Sequence, residues 1–266
     1  MSALFVADRV VYRYDSVLAV NGISLSIEPG TRVALLGANG SGKSTLLRLL
    51  DALYFPESGS ISFDGDRLDQ ERLEHDEFAF KFRRRVGLVF QNPDVQLFNP
   101  TVFDELAFGP LQLRWDREKI LARVDQMLDL LEIRHLKHRP PHRLSGGEKK
   151  RVALASVLVL DPEVLLLDEP TAALDPRSQS QIIDLLIGWG DGTKTVITAT
   201  HDLGLVEDIA DSCYLLQSGK VAAEGKPADL LRDQALLASA NLIHAHRHYH
   251  GSTGHVHPHT HPHTHE

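Results

Sequence analysis

The sequence contains a single cysteine among its 266 residues, which excludes an internal disulfide bond. A lone cysteine is typical of a reducing compartment, where Cys213 would serve as a small apolar residue. Long apolar runs are absent too: the longest, at 152–160, is far below the roughly 20 residues that span a bilayer. The first residues also lack the basic and apolar regions of a secretory leader. We therefore expect a chain that is neither secreted nor membrane-spanning on its own.

Positive charge is scarce as well. The 28 Lys and Arg residues are outnumbered by 36 Asp and Glu residues, and the formal net charge is -8. Such a balance argues against a broad nucleic-acid-binding face, and we expect no nucleic-acid partner. The one basic cluster, 83–85, is interpreted as a solvated helix end. The apolar content of 42% is that of a globular protein with a sizeable core.

What the sequence does contain is a complete phosphate-binding loop between an apolar run at 33–36 and a second at 46–50. Its glycines let backbone N–H groups face the phosphates, Lys43 reaches the β- and γ-phosphates, and the Ser44 hydroxyl ligates Mg²⁺. The loop therefore predicts a nucleoside triphosphate site with Mg²⁺. Its residues are Gly37, Ala38, Asn39, Gly40, Ser41, Gly42, Lys43, Ser44 and Thr45.

Strand-like and helical patterns alternate along the chain, which predicts an α/β fold with a mostly parallel core sheet. The predicted strands are 33–36, 86–90, 164–167 and 195–200. The predicted helices are 43–52, 117–132, 147–159 and 177–188.

Three further regions complete the predicted organisation. Short alternating segments at 4–6, 10–14 and 23–27 predict an N-terminal antiparallel β subdomain. Helical character broken by prolines, including Pro110, predicts a helical subdomain inserted at about 92–160. A hairpin at 213–217 and 220–223 and a helix near 227–239 then close a nucleotide-binding domain that covers 1–243.

Two carboxylates follow the apolar strand at 164–167. Asp168 is placed to hold Mg²⁺ beside the phosphates, usually through water. Glu169 is placed to orient or deprotonate the water that attacks the γ-phosphate. Between this pair and the phosphate loop lies the turn Ser145, Gly146 and Gly147, which opens a helical run and forms a second candidate anion site.

Taken together and in this order, these motifs resemble the signature of the ATP-binding-cassette (ABC) family, a phosphate-loop NTPase family. The resemblance covers about residues 4–225 and implies ATP as the nucleotide. It implies that Tyr14 stacks on adenine, with Tyr12 as a second candidate, and that Gln91 touches Mg²⁺. It also implies that His201 contacts the γ-phosphate and that the loop at 173–175 bridges two subunits.

The family's fold implies that one chain cannot complete a site. Lys43, Asp168, Glu169 and His201 of one copy would face Ser145 and Gly147 of a second copy across the nucleotide, so we expect a homodimer. One position departs from the commonest family pattern, because Glu148 stands where glutamine is usual. Its carboxylate would weaken ATP affinity by repulsion unless it turns towards Lys149 or solvent.

The stretch 91–98 and the following 101–110 resemble the ATPases of energy-coupling-factor (ECF) importers. That resemblance implies a transmembrane coupling protein, a separate membrane subunit that captures a vitamin or a metal ion, and a location at the cytoplasmic face of the membrane. Phe98, Phe103 and Phe108 are candidates for the docking surface, with burial in the subdomain core as an equal alternative.

Residues 244–266 change composition abruptly and hold ten of the 15 histidines of the chain. Without core-forming residues this tail is predicted to be disordered. Alternate imidazoles in an extended chain suit Ni, Co, Cu and Zn ions. The candidate Ni²⁺ or Co²⁺ ligands are His257, His259, His261, His263 and His265.

The preferred interpretation is the ATPase of a cobalt or nickel importer whose tail buffers or senses metal. Several alternatives stay open. The tail would also fit an affinity tag or a solubilising segment that binds metal incidentally. The ATPase would also fit an ECF importer for a vitamin or, less well, a soluble ABC ATPase without a transport role. A protein that only stores metal would leave the catalytic motifs unexplained.

Overall fold

The computed structural model describes residues 3–189, 192–250 and 253–259, with side chains for 3–189 and 192–243. Its strands are β1 Phe5–Tyr14, β2 Val17–Ile27, β3 Arg32–Leu36, β4 Ser58–Phe63, β5 Asp66–Arg67, β6 Val86–Val89, β7 Val164–Asp168, β8 Thr195–Thr200, β9 Ser212–Gln217, β10 Lys220–Gly225, β11 His244–His250 and β12 Thr253–His259.

Its helices are α1 Lys43–Leu50, α2 Gln70–Leu73, α3 Asp76–Arg85, α4 Val102–Gln112, α5 Arg117–Leu130, α6 Gly146–Leu158, α7 Pro176–Trp189, α8 Leu203–Ile209, α9 Pro227–Arg232 and α10 Gln234–Ser239. Short 3₁₀ turns lie at Pro93–Val95, Arg134–Leu136 and Pro141–Arg143.

The central sheet has six strands in the order β10, β9, β3, β8, β7, β6. The strand β3 pairs in parallel with β8 and β9, and β7 pairs in parallel with β6 and β8, while β10 is antiparallel to β9. Every residue of β7 and β8 is buried, because both faces of this sheet are covered. The carboxyl ends of β3, β6, β7 and β8 meet at one edge, and the predicted site residues follow these ends.

A second sheet, with the order β2, β1, β4, β5, is antiparallel and holds the N-terminal residues. The two strands predicted at 4–6 and 10–14 form one continuous strand, β1, whose register shifts between Ala7 and Val10. Arg9 has a φ of 45° in this bulge. The polar residues between the two predicted strands therefore mark a bulge within one strand and not the end of a strand. The α/β fold class with an antiparallel sheet is confirmed.

The chain between β6 and β7 is helical, and its apolar side chains pack into a cluster shared with β7 and α7. The predicted break at Pro110 is wrong, since Pro110 lies inside α4. It falls in the last turn, where a missing N–H costs few helical hydrogen bonds. The single helix predicted at 227–239 is also wrong: Asp233 ends α9 and its carboxylate caps α10 by accepting from the Leu236 N–H at 2.9 Å.

The basic cluster at the end of α3 is only partly solvated, contrary to its interpretation from the sequence. Arg83 donates to the carbonyl of Ala52 at 3.2 Å and to the Asp51 carboxylate at 3.3 Å, so α3 caps the end of α1. Arg85 donates to Glu163 at 2.6 Å. Cationic side chains near a helix C-terminus stabilise its unpaired carbonyls. These contacts tie α3 to the element that begins with the phosphate loop.

At the C-terminal end, the described backbone of β11 and β12 pairs as an antiparallel two-stranded sheet, where the sequence predicts disorder. The alternation of histidine with other residues suits the two-residue period of a strand. The predicted ligands His261, His263 and His265 lie outside the described residues. Within the described part of the chain, no helix combines the length and apolar character needed to cross a membrane.

Candidate functional site

The loop between β3 and α1 lines an open pocket. Gly40 and Gly42 have φ values of 79° and 105°, in the region that favours glycine. A Cβ on Gly42 would lie 2.5 Å from the carbonyl oxygen of Ala19, so only glycine fits there. The helix α1 begins at Lys43 without a side-chain cap. Uncapped N–H groups at a helix N-terminus form an anion site.

Lys43 is buried and its side chain is held by the loop itself. Its Nζ donates to the carbonyl oxygens of Gly37 at 2.7 Å and Ala38 at 3.2 Å, and lies 3.8 Å from Oε1 of Glu169. Burial lowers the pKa of Lys43, and the nearby Glu169 carboxylate opposes that effect. Among the described residues, the buried hydroxyl of Ser41 has no hydrogen-bond partner. A phosphate group would supply that partner.

Oxygen donors converge at the end of β7. The hydroxyl of Ser44 donates to Oδ1 of Asp168 at 2.8 Å, and Gln91 lines the same pocket. Burial raises the pKa of Asp168, and the hydrogen bond from Ser44 counteracts that rise. Mg²⁺ prefers hard oxygen ligands and keeps several waters. This donor set fits Mg²⁺.

Glu169 follows β7 with a φ of 47°, a conformation that non-glycine residues rarely adopt. Its buried carboxylate has a partner on each oxygen: Nδ1 of His201 lies 2.7 Å from Oε1, and the hydroxyl of Thr200 donates to Oε2 at 3.2 Å. The hydrogen bond with Glu169 raises the pKa of His201. The structure therefore brings Lys43, Asp168, Glu169 and His201 together, as the sequence predicts.

The pocket at this site has a volume of about 500 Å³. Tyr14 lines it and is half-buried, and its hydroxyl accepts from Arg48 at 3.3 Å. Tyr12, the second candidate for adenine stacking, instead stacks on Tyr54 with ring centroids 5.2 Å apart. Of the two tyrosines, Tyr14 is the one that lines the pocket. Of the predicted residues, the pocket is lined by Tyr14, Asn39, Gly40, Ser41, Gly42, Lys43, Ser44, Thr45, Gln91 and Glu169.

The turn Ser145, Gly146 and Gly147 is not among the described residues that line the pocket. It starts α6, and Glu148 forms a capping box with Ser145: Oε2 of Glu148 accepts from the Ser145 N–H at 2.7 Å and from its hydroxyl at 2.9 Å. The carboxylate of Glu148 therefore turns towards Ser145 and not towards Lys149. The hydrogen bond from the backbone of Ser145 lowers the pKa of Glu148.

Comparison with known proteins decides the family. The family model described as ABC transporter matches residues 20–172. The chain belongs to the ABC transporter family. The nickel import ATP-binding protein NikO of Rhodobacter capsulatus is 56% identical over 246 residues, which cover 91% of this chain and 97% of that protein. The ABC ATPase described here therefore hydrolyses ATP to drive transport.

Other relatives and solved structures agree. The energy-coupling factor transporter ATP-binding protein EcfA of Methanothermobacter thermautotrophicus is 42% identical over 232 residues, covering 87% of this chain and 73% of that protein. The structure of cbiO1 from Clostridium perfringens, part of the transporter complex cbiONQ, matches with a TM-score of 0.75 at 38% identity, covering 91% of this chain and 96% of that one. The dimeric structure of MJ0796, a bacterial ABC transporter cassette, matches with a TM-score of 0.76 at 28% identity, covering 84% of this chain and 98% of that one.

Two residues of this ABC ATPase escaped the sequence interpretation. Thr200 is buried at the end of β8, and its hydroxyl donates to Glu169. The sequence feature that could have identified Thr200 is its position as a polar residue at a strand end, directly before His201. Lys150 is buried beneath the same carboxylate-bearing turn. Residues 149–151 are all basic, so the sequence does not indicate which of them is buried.

Proposed function

We propose that this ABC ATPase is the ATP-hydrolysing subunit of an ECF-type importer for a transition-metal ion, cobalt or nickel. The observation that carries the chemistry is that buried Lys43 and Glu169 line one pocket beside an uncapped helix N-terminus, with buried Asp168 bonded to Ser44 of the same pocket. The relationship to the nickel import protein, which spans nearly the whole of both chains, supports a metal as cargo.

The pocket residues divide the work of hydrolysis. Tyr14 stacks on adenine, the loop N–H groups and Lys43 bind the β- and γ-phosphates, and Ser44, Gln91 and Asp168 hold Mg²⁺. When bound, Mg²⁺ neutralises charge on the phosphate oxygens. Glu169 accepts a proton from the attacking water, a role that fits a carboxylate oriented by two hydrogen bonds. His201 contacts the γ-phosphate.

The Ser145 turn serves a second copy of the chain. Its N–H groups lie at the start of α6, which has 13 residues and presents a positive dipole end. The turn does not line the pocket described for its own chain, so Ser145, Gly146 and Gly147 are available to bind the nucleotide held by the other copy. Two identical chains then form two complete sites. The dimer reported for MJ0796 supports this arrangement.

An exposed apolar patch is proposed to dock the transmembrane coupling protein. Phe98 is 67% exposed and its ring meets that of Phe108 edge to face, with centroids 5.0 Å apart. Val95 and Leu111 are also exposed. Exposed apolar residues grouped in this way are typical of interaction sites. Phe103, the third candidate, packs against the helical core instead. The ATPase would then sit at the cytoplasmic face of the membrane.

The histidine-rich tail is proposed to hold Ni²⁺ or Co²⁺. The backbone register of β11 and β12 aligns His244 with His259 and His246 with His257. Imidazole is a preferred ligand of these metals. We expect a chain ending at Ile243 to keep its ATPase rate within about twofold, since the ATP pocket lies elsewhere, and to bind less Ni²⁺ in equilibrium dialysis. Equal Ni²⁺ binding by both chains would contradict a metal role for the tail.

The test of the proposed cargo is metal accumulation by cells that lack this gene. Under limiting nickel or cobalt, the wild-type chain should restore cellular metal and Glu169→Gln should not. Glu207→Gln, an exposed carboxylate on α8, is the matched control and should restore it fully. Restoration of neither metal by the wild-type chain would contradict the proposal.

A second candidate cargo is a vitamin, since the relative EcfA is an energy-coupling factor transporter protein with no specified cargo. The same cells then show loss and restoration of vitamin uptake while nickel and cobalt contents stay constant. That result would retain the ECF-type assignment and the ATPase chemistry.

A further inference from the structure

A buried ammonium lies beneath the nucleotide site and has no part in the steps above. Lys150 is 4% exposed and sits in the first turns of α6. Its Nζ donates to the carbonyl oxygen of Gln91 at 2.7 Å and to that of Glu169 at 2.9 Å. A buried cation is tolerated only where hydrogen bonds and charges compensate its lost hydration. These two carbonyls supply that compensation directly.

Both carbonyls belong to loops that carry the reaction. Gln91 follows β6, and Glu169 follows β7 in a left-handed backbone conformation, with a φ of 47°. Such a conformation persists only where its surroundings hold it in place. The carbonyl of Glu169 also accepts from the Ala172 N–H, at a longer 3.3 Å. The carbonyl of Glu169 is therefore closer to Lys150 than to Ala172.

The loop after β6 is joined to α6 at a second point. The side chain of Gln96 accepts from the Phe90 N–H at 3.1 Å and donates to the carbonyl of Ala153 at 2.8 Å. This loop and α6 are therefore linked at both ends of the 90–96 segment. Lys150 connects that unit to Glu169, which directly follows the neighbouring strand β7.

We propose that Lys150 is a positioning residue that sets the Glu169 carboxylate according to the position of the Ser145 turn. The inference rests on the proposed roles of Glu169 and of the turn. If the turn binds the nucleotide of a second copy, its displacement moves α6, and the ammonium passes that displacement to the backbone of Glu169. Hydrolysis in one copy then responds to the nucleotide held by the Ser145 turn of the same copy.

The N–H donors of Lys150 make the hydrogen bonds to Gln91 and Glu169 whether or not the amine is protonated. Burial lowers the pKa of Lys150 to about 8, while the carboxylates of Asp168 and Glu169 oppose that change. The amine retains N–H donors in either protonation state. A substitution that removes the donors therefore breaks the link, and one that keeps them preserves it.

The test compares three full-length variants. Lys150→Met keeps the length of the side chain without donors, Lys150→Arg keeps donors, and Lys149→Met is the matched control. Lys149 lies next in sequence but pairs with exposed Asp94 at 2.7 Å. We expect Lys150→Met to lower kcat by about tenfold to a hundredfold with KM for ATP within about twofold of wild type, because a misplaced base is costly and nucleotide contacts remain. Lys150→Arg should recover part of that loss, and Lys149→Met should match wild type.

A wild-type kcat for Lys150→Met would overturn the inference, and so would a proportional rise in KM that Lys150→Arg does not correct. Absence of hydrolysis by the wild-type chain would instead contradict the proposed function. Hydrogen exchange tests the link without turnover: amides at 90–96 and 170–174 should exchange faster in Lys150→Met than in Lys149→Met. Equal exchange in the two variants would overturn the link itself.

Discussion

The chemistry depends on how one carboxylate is held. Glu169 has hydrogen-bond partners on both oxygens, contributed by Thr200 and His201 at the end of the neighbouring strand. Its backbone is strained and its side chain is buried. A general base held in this way loses its function when its charge is removed, even if its shape is kept.

Glu169→Gln is expected to lower the ATPase rate by at least about a hundredfold, because the amide cannot accept the proton of the attacking water. Nucleotide binding should persist, so ATP should drive this variant into a dimer that size-exclusion chromatography detects. The control is Glu207→Gln, whose carboxylate is exposed on α8. Retention of most of the rate by Glu169→Gln would remove Glu169 as the base.

A second carboxylate predicts a dependence of stability on pH. Burial raises the pKa of Asp51 to about 7, and Arg83 opposes that rise. A carboxylate whose pKa is raised on folding contributes its stability at low pH and loses it as pH rises through the folded value. We therefore expect the Tm of Asp51→Asn minus the Tm of wild type to increase as the pH rises from about 5 to about 8.

Thermal unfolding of both proteins at each pH checks this expectation. Groups that titrate equally in the two proteins cancel in the difference, which isolates Asp51. Asp211→Asn provides the opposite control, because hydrogen bonds with Arg32 lower the pKa of Asp211. A difference in Tm between wild type and Asp51→Asn that is the same at both pH values would contradict the raised pKa.

At the scale of elements, the exposed patch on α4 and the preceding loop is the surface most open to test. Phe98→Ser should weaken association with membranes that contain the transporter, because it removes apolar area from the proposed contact. ATPase rate and Tm should stay close to wild type, as for most surface substitutions. Leu130→Ser is the control, since Leu130 is 52% exposed on α5. Equal membrane binding by both variants would exclude Phe98 from the docking surface.

The elements also show what the sequence allows one to predict. The strands β3, β7 and β8 are continuous apolar runs, because both faces of their sheet are buried, and their positions follow from that pattern. The phosphate loop and the Asp168 and Glu169 pair follow from motifs that fix local geometry. Predicted helices at 43–52 and 147–159 correspond to α1 and α6.

Other elements lack such a local signal. The strand β4 begins Ser58, Gly59 and Ser60, residues with weak strand preference, and it forms because β1 offers a partner. The helix α3 has apolar residues spaced among many charges, so its pattern is weak. The bond from Lys150 to Glu169 joins residues 19 positions apart in sequence and depends on the folded sheet. Contacts between residues far apart in sequence cannot be predicted from a short stretch of that sequence.

At the scale of the whole molecule, a substitution in the Ser145 turn can distinguish a loss of stability within one copy from a loss of activity in the dimer. Within the described part of the chain, a Cβ on Gly147 would meet the hydroxyl of Ser178 at 3.6 Å and the side chain of Leu174 at 3.7 Å, which are ordinary contact distances. The chain itself therefore has room for alanine at Gly147. A loss of activity in that variant would have to arise from what faces the turn in the dimer.

Gly147→Ala should keep or raise Tm, because alanine in a helix is favoured over glycine by roughly 0.5–1 kcal/mol. Its ATPase rate should fall by at least about tenfold, since the added methyl group would stand where the second copy's phosphates approach the N–H groups. Gly188→Ala, on α7 with no described atom within 4 Å of the added Cβ, is the control. Wild-type turnover by Gly147→Ala would contradict a shared site.

The way Lys43 is held in the phosphate loop has a kinetic consequence. Its ammonium is already fixed by the carbonyls of Gly37 and Ala38, so an arriving nucleotide exchanges hydrogen bonds with an ordered loop. Association should then be fast and similar for nucleotides with the same phosphate chain, because little ordering precedes contact. Differences between nucleotides should appear in how long each one stays bound, so the residence time of ATP, more than its arrival, would set the lifetime of the closed dimer.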